Sequence, residues 1–270
     1  MALPATLRLY LEYVRLAFAR RAAYRLANWS GITVNFFFFL VHAQVYLAFF
    51  GSRASVVGWT AHDAVLYFAT SESLLMVLGA FPAWGHDLMF RIRSGDVTLD
   101  LSRPVDLYAR DLAERAGSAL YFLGTRSVVL YLGAVWFYRL SPPWGSELLA
   151  VPLTLALGVA ISGSLWYLAN AVAFWTEHSM GPYRATMFAL ALFGGLFVPL
   201  DFYPAGFRLL CDVLPFRGAL YTPIATAAGR LHGRELSGAL LHQAAWLAAL
   251  AALARSMTTR GVRRLVVHGG

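Results

Sequence analysis

The sequence contains no lysine, and charged residues of every kind are scarce in its 270 positions. Charged side chains make up 13% of the chain, whereas a soluble domain carries about 25%. A phosphate-binding loop of the form G-x-x-x-x-G-K-[ST] uses its lysine to reach the phosphates, so this chain cannot contain one. If ATP drives its activity, another polypeptide must bind the nucleotide.

Other chemical functions also lack their usual residues. Cys211 is the single cysteine, which rules out an internal disulfide and a multi-cysteine metal site. The seven histidines are scattered without metal-ligand spacing, and no Ser, Cys or His arrangement predicts a nucleophile with its base. We therefore expect no enzyme activity, metal or cofactor in this chain. No cleavable signal peptide is predicted, because the first apolar run begins well inside the sequence.

What the sequence does contain is apolar residues, at 59% of the chain and a mean hydropathy of +0.59. About 20 apolar residues cross a bilayer as a helix, and lipid forces helical structure because it offers no partners to backbone groups. The sequence thus predicts an all-α integral membrane protein of one domain, residues 1–270, without internal repeats. Its six predicted transmembrane helices cover residues 28–50, 61–82, 116–138, 148–174, 184–200 and 236–254.

The arginines predict how the chain is oriented. Cytoplasmic loops are enriched in basic residues. With the N-terminus inside, 15 arginines fall in cytoplasmic segments and 6 in outer segments, and Arg126 lies within a span. Both termini are therefore predicted to be cytoplasmic.

Three segments outside the spans have their own patterns. Residues 1–25 place Leu7, Leu11 and Phe18 at helical spacing, which predicts an amphipathic helix lying in the cytoplasmic interface. Residues 83–115 mix charged and apolar side chains, which suits short helices that dock a partner or lie on the membrane surface. Residues 201–234 contain apolar stretches too short to span, which predicts a re-entrant or interfacial hairpin.

Two charges lie near the middle of consecutive, antiparallel spans. A charge at that depth is costly and usually finds a partner, so we expect Glu72 and Arg126 to pair. The pair could border a polar substrate path, or it could be a purely structural clamp. Asn35, Gln44 and Asn170 could line the same path, or bond across helices.

The sequence resembles a known family at several points that keep their order along the chain. Residues 93–104 (RSGDVTLDLSRP), 195–204 (GLFVPLDFYP), 214–216 (LPF) and 221–223 (YTP) resemble motifs of one subfamily of type-2 ABC permeases. The basic, glycine-ended tail, residues 263–270, is also similar. One departure is residues 100–102, where the subfamily commonly has a more apolar run.

The resemblance implies a transmembrane permease subunit of a bacterial ATP-driven exporter, which forms the substrate path in the cytoplasmic (inner) membrane. A loop between spans two and three would couple to a separate ATPase. The working unit would hold two ATPase copies, which bind ATP and Mg²⁺, and a second permease, identical or paralogous. The implied coupling residues are Phe90, Arg91, Arg93, Asp96, Asp100 and Arg103. The implied residues of an extracytoplasmic gate are Pro199, Tyr203, Pro204, Pro215, Phe216 and Pro223.

Two other classes fit the residues less well. A secondary transporter or channel without an ATPase is the main alternative, but such folds often contain inverted repeats, which we do not detect. A membrane-embedded transferase would need a carboxylate or metal cluster at the interface. The sequence does not define the exported substrate, and nucleic acid is not an expected partner.

Overall fold

The computed structural model describes residues 4–80, 87–103, 105–176 and 180–264. These residues form helices and turns without a β-strand, apart from one isolated bridge between Val56 and Trp59. Parts of the sequence predictions lie outside the described residues: the end of the second span, the first residues of the 83–115 loop, Pro104, and the last six residues of the basic tail.

Twelve α-helices occur in the described residues. The described residues also contain two π-helical turns. Leu123–Ser127 lies between α6 and α7, and Arg217–Tyr221 lies directly before α11. The α-helices are α1 Ala5–Ala22, α2 Arg25–Phe50, α3 Ala61–Leu74, α4 Asp87–Ser94, α5 Val97–Leu101, α6 Leu107–Phe122, α7 Val128–Tyr138, α8 Val151–Ala171, α9 Met180–Phe193, α10 Ala205–Val213, α11 Thr222–Ala227 and α12 Gly233–Val262.

In the part of the chain that the structure describes, four helical stretches are long and apolar enough to cross a membrane: Leu26–Phe50, Leu107–Tyr138, Leu148–Phe174 and Gly233–Val262. They overlap the first, third, fourth and sixth predicted spans, although Leu107–Tyr138 begins nine residues before the predicted third span and Gly233–Val262 ends eight residues after the predicted sixth. The second and fifth predicted spans coincide with α3 and α9, which have only 14 residues each. The structure is therefore that of an all-α, multi-pass membrane protein, and the count of six spans remains a prediction.

Helix α1 packs against helix α6. A Cβ atom at Gly117 would lie 2.1 Å from the backbone oxygen of Val14, so glycine permits the close approach of α1 and α6. Phe18 meets Tyr121 edge to face, with ring centroids 5.5 Å apart. Leu7 and Leu11 on α1 remain exposed, which leaves an apolar surface on this helix.

The centre of the bundle is formed by α8, α11 and α12. Gln243 of α12 is fully buried and donates hydrogen bonds to the backbone oxygens of Thr154 on α8 and Gly218 in the second π-helical turn, at 3.0 and 2.8 Å. Pro223 of α11 packs against Gly158, where a Cβ would lie 3.0 Å from its ring. A polar side chain thus fastens three elements inside an apolar core.

Candidate functional site

The segment of α4 and α5 folds onto one end of the bundle, where α6 begins and α12 ends. Leu88, Ile92 and Val97 are buried there and pack in one apolar cluster with Tyr108 and Phe174. This packing explains why a charge-rich segment carries apolar residues at all. Burial of one face fixes the orientation of the other.

Asp100 is the polar centre of this segment. Its carboxylate is buried and contacts the guanidinium groups of both Arg91 and Arg110. Arg110 also donates to Glu114 at 2.9 Å, and Glu114 lies 3.7 Å from Arg20 of α1. Asp100 belongs to residues 100–102, where the sequence departs from the family pattern. At this position the chain therefore has a carboxylate that two arginines bind.

The other predicted coupling residues lie on the outer surface of the segment. Phe90 is 55% exposed, and Arg93, Asp96 and Arg103 are exposed as well. Asp96 accepts a hydrogen bond of 2.6 Å from the hydroxyl of Ser94. The structure therefore separates the six predicted residues into an internal pair, Arg91 and Asp100, and four on the surface.

The predicted Glu72–Arg126 pair is wrong. Glu72 Oε1 lies 3.4 Å from Nδ1 of His42 on α2, and no ion pair joins Glu72 to Arg126 in the described part of the chain. His42 is held between Phe68 and Phe197, with ring centroids 5.5 and 5.9 Å from its own. The buried carboxylate therefore faces α2 and the segment after α9.

Glu72 and Arg126 nevertheless stand at the same depth along their helices, as expected. The hydroxyl of Ser127 donates to the backbone oxygen of Ser73 at 2.6 Å, so the residues next to Arg126 and Glu72 touch. A helical side chain leans toward the N-terminus of its own helix. On antiparallel helices the two side chains therefore diverge, and the Arg126 guanidinium lies beside Gly31 of α2, where a Cβ would be 1.0 Å from its Nη2 atom.

The remaining polar residues of the spans have different environments. Gln44 donates to the hydroxyl of Tyr138 at 2.9 Å, and Asn170 donates to the backbone oxygen of its own helix at Trp166 at 2.7 Å. Nδ2 of Asn35 and Oδ1 of Asn170 are buried without hydrogen-bond partners. Among these residues Asn35 lies four positions after Gly31 and therefore shares a helix face with the Arg126 contact.

The chain after α9 is irregular but well bonded. The helix ends at Phe193, and Gly195 has a φ of 68°, a left-handed conformation that glycine adopts without strain. Three consecutive backbone oxygens then accept hydrogen bonds from side chains of α2 and α3. Tyr67 donates to Gly195 at 2.8 Å, Ser71 to Leu196 at 3.1 Å and Tyr46 to Phe197 at 3.1 Å.

The predicted gate residues follow directly. Pro199 and Pro204 stand before the short helix Leu200–Phe202 and α10, where a missing N–H has no cost. Tyr203 donates to the backbone oxygen of Leu192 at 2.8 Å, and Phe216 stacks on Phe193 with centroids 5.7 Å apart.

The second half of this region is buried. Pro215 precedes the π-helical turn, Pro223 stands at the start of α11, and Ile224 and Ala225 have no exposed surface. Burial raises the pKa of the Tyr203 phenol and of the Cys211 thiol on α10. Both groups are therefore neutral near pH 7.

A polar cavity of about 450 Å³ lies between this region and α12. Arg208 pairs with Asp201 at 2.9 Å, and Arg217 pairs with Asp212 at 2.8 Å, close to its rim. Tyr221 donates to Asp201 at 2.5 Å. The charged and titratable residues that line the cavity are Asp201, Arg208, Arg217, Tyr221, Arg230, Glu235 and His242.

Sequence reasoning missed several of these residues. The sequence gives His42 no role beyond that of one of seven scattered histidines, and it assigns no role to Tyr46 or Tyr67. A signal was present for the tyrosines, because a buried phenol needs a hydrogen-bond partner and an irregular segment at membrane depth needs donors for its carbonyls. In the described residues no group of three or more His, Cys, Asp or Glu could hold a metal ion.

The long apolar helices and the absence of strands from the described residues define a multi-pass α-helical membrane protein. Residues 32–269 match the family model described as ABC-2 family transporter protein. The chain belongs to this family. No curated protein and no solved structure matches it. Membership makes the chain a permease subunit of an ABC transporter that works with an ATP-binding subunit, in agreement with the motif resemblance.

Proposed function

We propose that this permease exports its substrate from the cytoplasm, and that it crosses the bacterial cytoplasmic membrane six times with both termini inside. In this arrangement α3 and α9 complete the second and fifth spans together with adjoining turns, and α1 lies in the inner interface. The 15-to-6 distribution of arginines supports this orientation. The chain uses no cofactor of its own, because ATP and Mg²⁺ bind to the ATPase.

The surface of α4 and α5 is the proposed contact with the ATPase. Phe90 and Leu99 project from it at 55% and 66% exposure, surrounded by Arg93, Asp96 and Arg103. The other face is packed on α6, α8 and α12 and bonded through Asp100. A push on this surface is therefore transmitted to the spans as a rigid displacement. This pairing of an exposed face with a fastened one is the observation that carries the proposal.

The outer end of the path is closed by α10 and α11 as a re-entrant hairpin. The backbone after α9 is fastened to α2 and α3 by the hydroxyls of Tyr46, Tyr67 and Ser71. Movement of α2 and α3 would therefore move the hairpin as well. Two ATPase subunits and a second permease, identical or paralogous, complete the unit, and substrate passes between the two permeases.

Cross-linking tests the coupling surface. With Cys211→Ser as background, Leu99→Cys is expected to form a cross-link to the ATPase that changes with ATP. Leu209→Cys on α10 is the matched control, because Leu209 is also 66% exposed but lies on the proposed outer side. Cross-linking from Leu209→Cys, or none from Leu99→Cys in an intact complex, would contradict the assignment.

A further inference from the structure

We propose that Arg126 and the adjoining face of α2 bind the phosphate group of a membrane phospholipid, with a preference for anionic phospholipids. Arg126 is 6% exposed, and its Nε atom has no hydrogen-bond partner. No ion pair is present for it in the described residues, and the centroid of the Phe122 ring lies 5.8 Å from its guanidinium carbon. A buried arginine without a carboxylate is costly in a membrane, so an external anion would stabilise it.

The neighbouring helix supplies a notch with matching polar atoms. The guanidinium occupies the space over Gly31, and Asn28 and Asn35 stand three residues before and four after it on the same helix face. Oδ1 of Asn28 and Nδ2 of Asn35 are both buried without partners. Phosphate oxygens would accept from Arg126 and Asn35, and a head-group hydroxyl would donate to Asn28.

A second arginine adds positive charge to the site. Arg21, near the end of α1, has its guanidinium carbon 5.7 Å from the centroid of the same Phe122 ring. Two guanidinium groups thus flank one aromatic side chain where α1 meets α6. This charge favours an anionic head group over a zwitterionic one.

The depth of the site fits a lipid head group. Gly31 lies six residues into α2 from Arg25, which is about 9 Å along the helix axis. Trp29, two residues before Gly31, is 60% exposed and suits the membrane interface. The Arg126 side chain leans toward the start of its own helix, which is the cytoplasmic side in the proposed orientation, so it extends toward the inner leaflet.

Arg126 lies in the π-helical turn Leu123–Ser127, whose wider ring alters the helix surface. Its side chain is 6% exposed, so a head group would reach the guanidinium from the edge of the notch.

Native mass spectrometry of the detergent-purified protein tests the site by titration with phosphatidylglycerol and phosphatidylcholine. Wild type is expected to bind phosphatidylglycerol more tightly than phosphatidylcholine. Arg126→Gln should weaken phosphatidylglycerol binding at least about tenfold. Gly31→Ala keeps the charge but displaces the flexible guanidinium from the notch, so it should weaken binding as well, and it serves if Arg126→Gln fails to fold. Arg139→Gln, exposed at the other end of the same span, should bind like wild type.

Equal phosphatidylglycerol affinity in wild type and both site variants would overturn the proposal. Protection of wild type from thermal unfolding by inorganic phosphate, but not by phosphatidylglycerol, would overturn it too, by assigning the site to a soluble anion. The inference rests on the proposed orientation but not on export. The titration needs no ATPase, so its failure and a failed cross-link to the ATPase are distinguishable.

Discussion

At the scale of single residues, contact between two helices did not bring their charges together. Glu72 and Arg126 stand beside Ser73 and Ser127, which are bonded to each other. Because each side chain leans toward its own N-terminus, Glu72 meets His42 and Arg126 meets Gly31. Sequence spacing gives the depth of such residues but not the direction of their side chains.

Double-mutant cycles should separate these contacts. We expect Glu72→Gln and His42→Gln to be coupled by about 0.5–3 kcal/mol in the free energy of unfolding, since the two side chains touch. The coupling of Glu72→Gln with Arg126→Gln should be smaller, because these side chains diverge. Denaturant unfolding of the purified protein measures both cycles. A larger coupling for Glu72 with Arg126 would mean that the pair exists after all.

The single thiol gives a second test at this scale. Cys211 has no exposed surface, and burial raises its pKa, so little thiolate is present at pH 7. Maleimide should react with it more slowly than with an exposed thiol, because the side chain is inaccessible and burial lowers its thiolate fraction. The rate should increase as the pH rises toward the raised pKa.

The matched control is Gly206→Cys in a Cys211→Ser background. Gly206 is exposed on the same helix, and a Cβ there meets no neighbouring atom within 4 Å. Similar labelling rates for the two thiols at pH 7 would show that α10 does not pack as described.

At the scale of elements, the carbonyls after α9 depend on tyrosine hydroxyls. Tyr67→Phe removes the donor to the buried Gly195 oxygen and should lower the free energy of unfolding by about 1–3 kcal/mol. Tyr203→Phe is the control, because its bond to Leu192 is exposed and water can replace it. Chemical denaturation of both variants measures the difference. Equal losses would show that the Gly195 carbonyl finds another donor.

The element boundaries show what the sequence could predict. The first and fourth spans were predicted within two residues at each end, because a long apolar run can only be a helix in lipid. The helical stretch at the third span begins nine residues before its predicted start and the one at the sixth ends eight residues after its predicted end, since both helices extend into more polar sequence. The sequence did not predict that α9 is short. The pair Gly194–Gly195 follows its end, and Gly195 allows the chain to turn there at a φ of 68°. Apolar residues continue past that point, so hydropathy alone could not locate the end.

At the scale of the whole molecule, family and helical architecture followed from the sequence, whereas the arrangement of polar residues did not. The order of weak motifs and the missing lysine led to the permease class, which the family match confirmed. The roles of His42 and Tyr67 depend on contacts between distant segments. Their hydrogen bonds and ring contacts therefore become apparent only in the folded chain.

The most direct test of the account is recovery of the tagged protein from native membranes in mild detergent, with mass spectrometry and an ATPase assay on the eluate. We predict that a lysine-containing P-loop subunit is recovered, and that it is lost when Phe90, Arg93 and Asp96 are replaced by alanine together. All three lie on the exposed surface of the proposed coupling segment. An oligomer that contains no ATPase and still moves solute in liposomes would contradict the account.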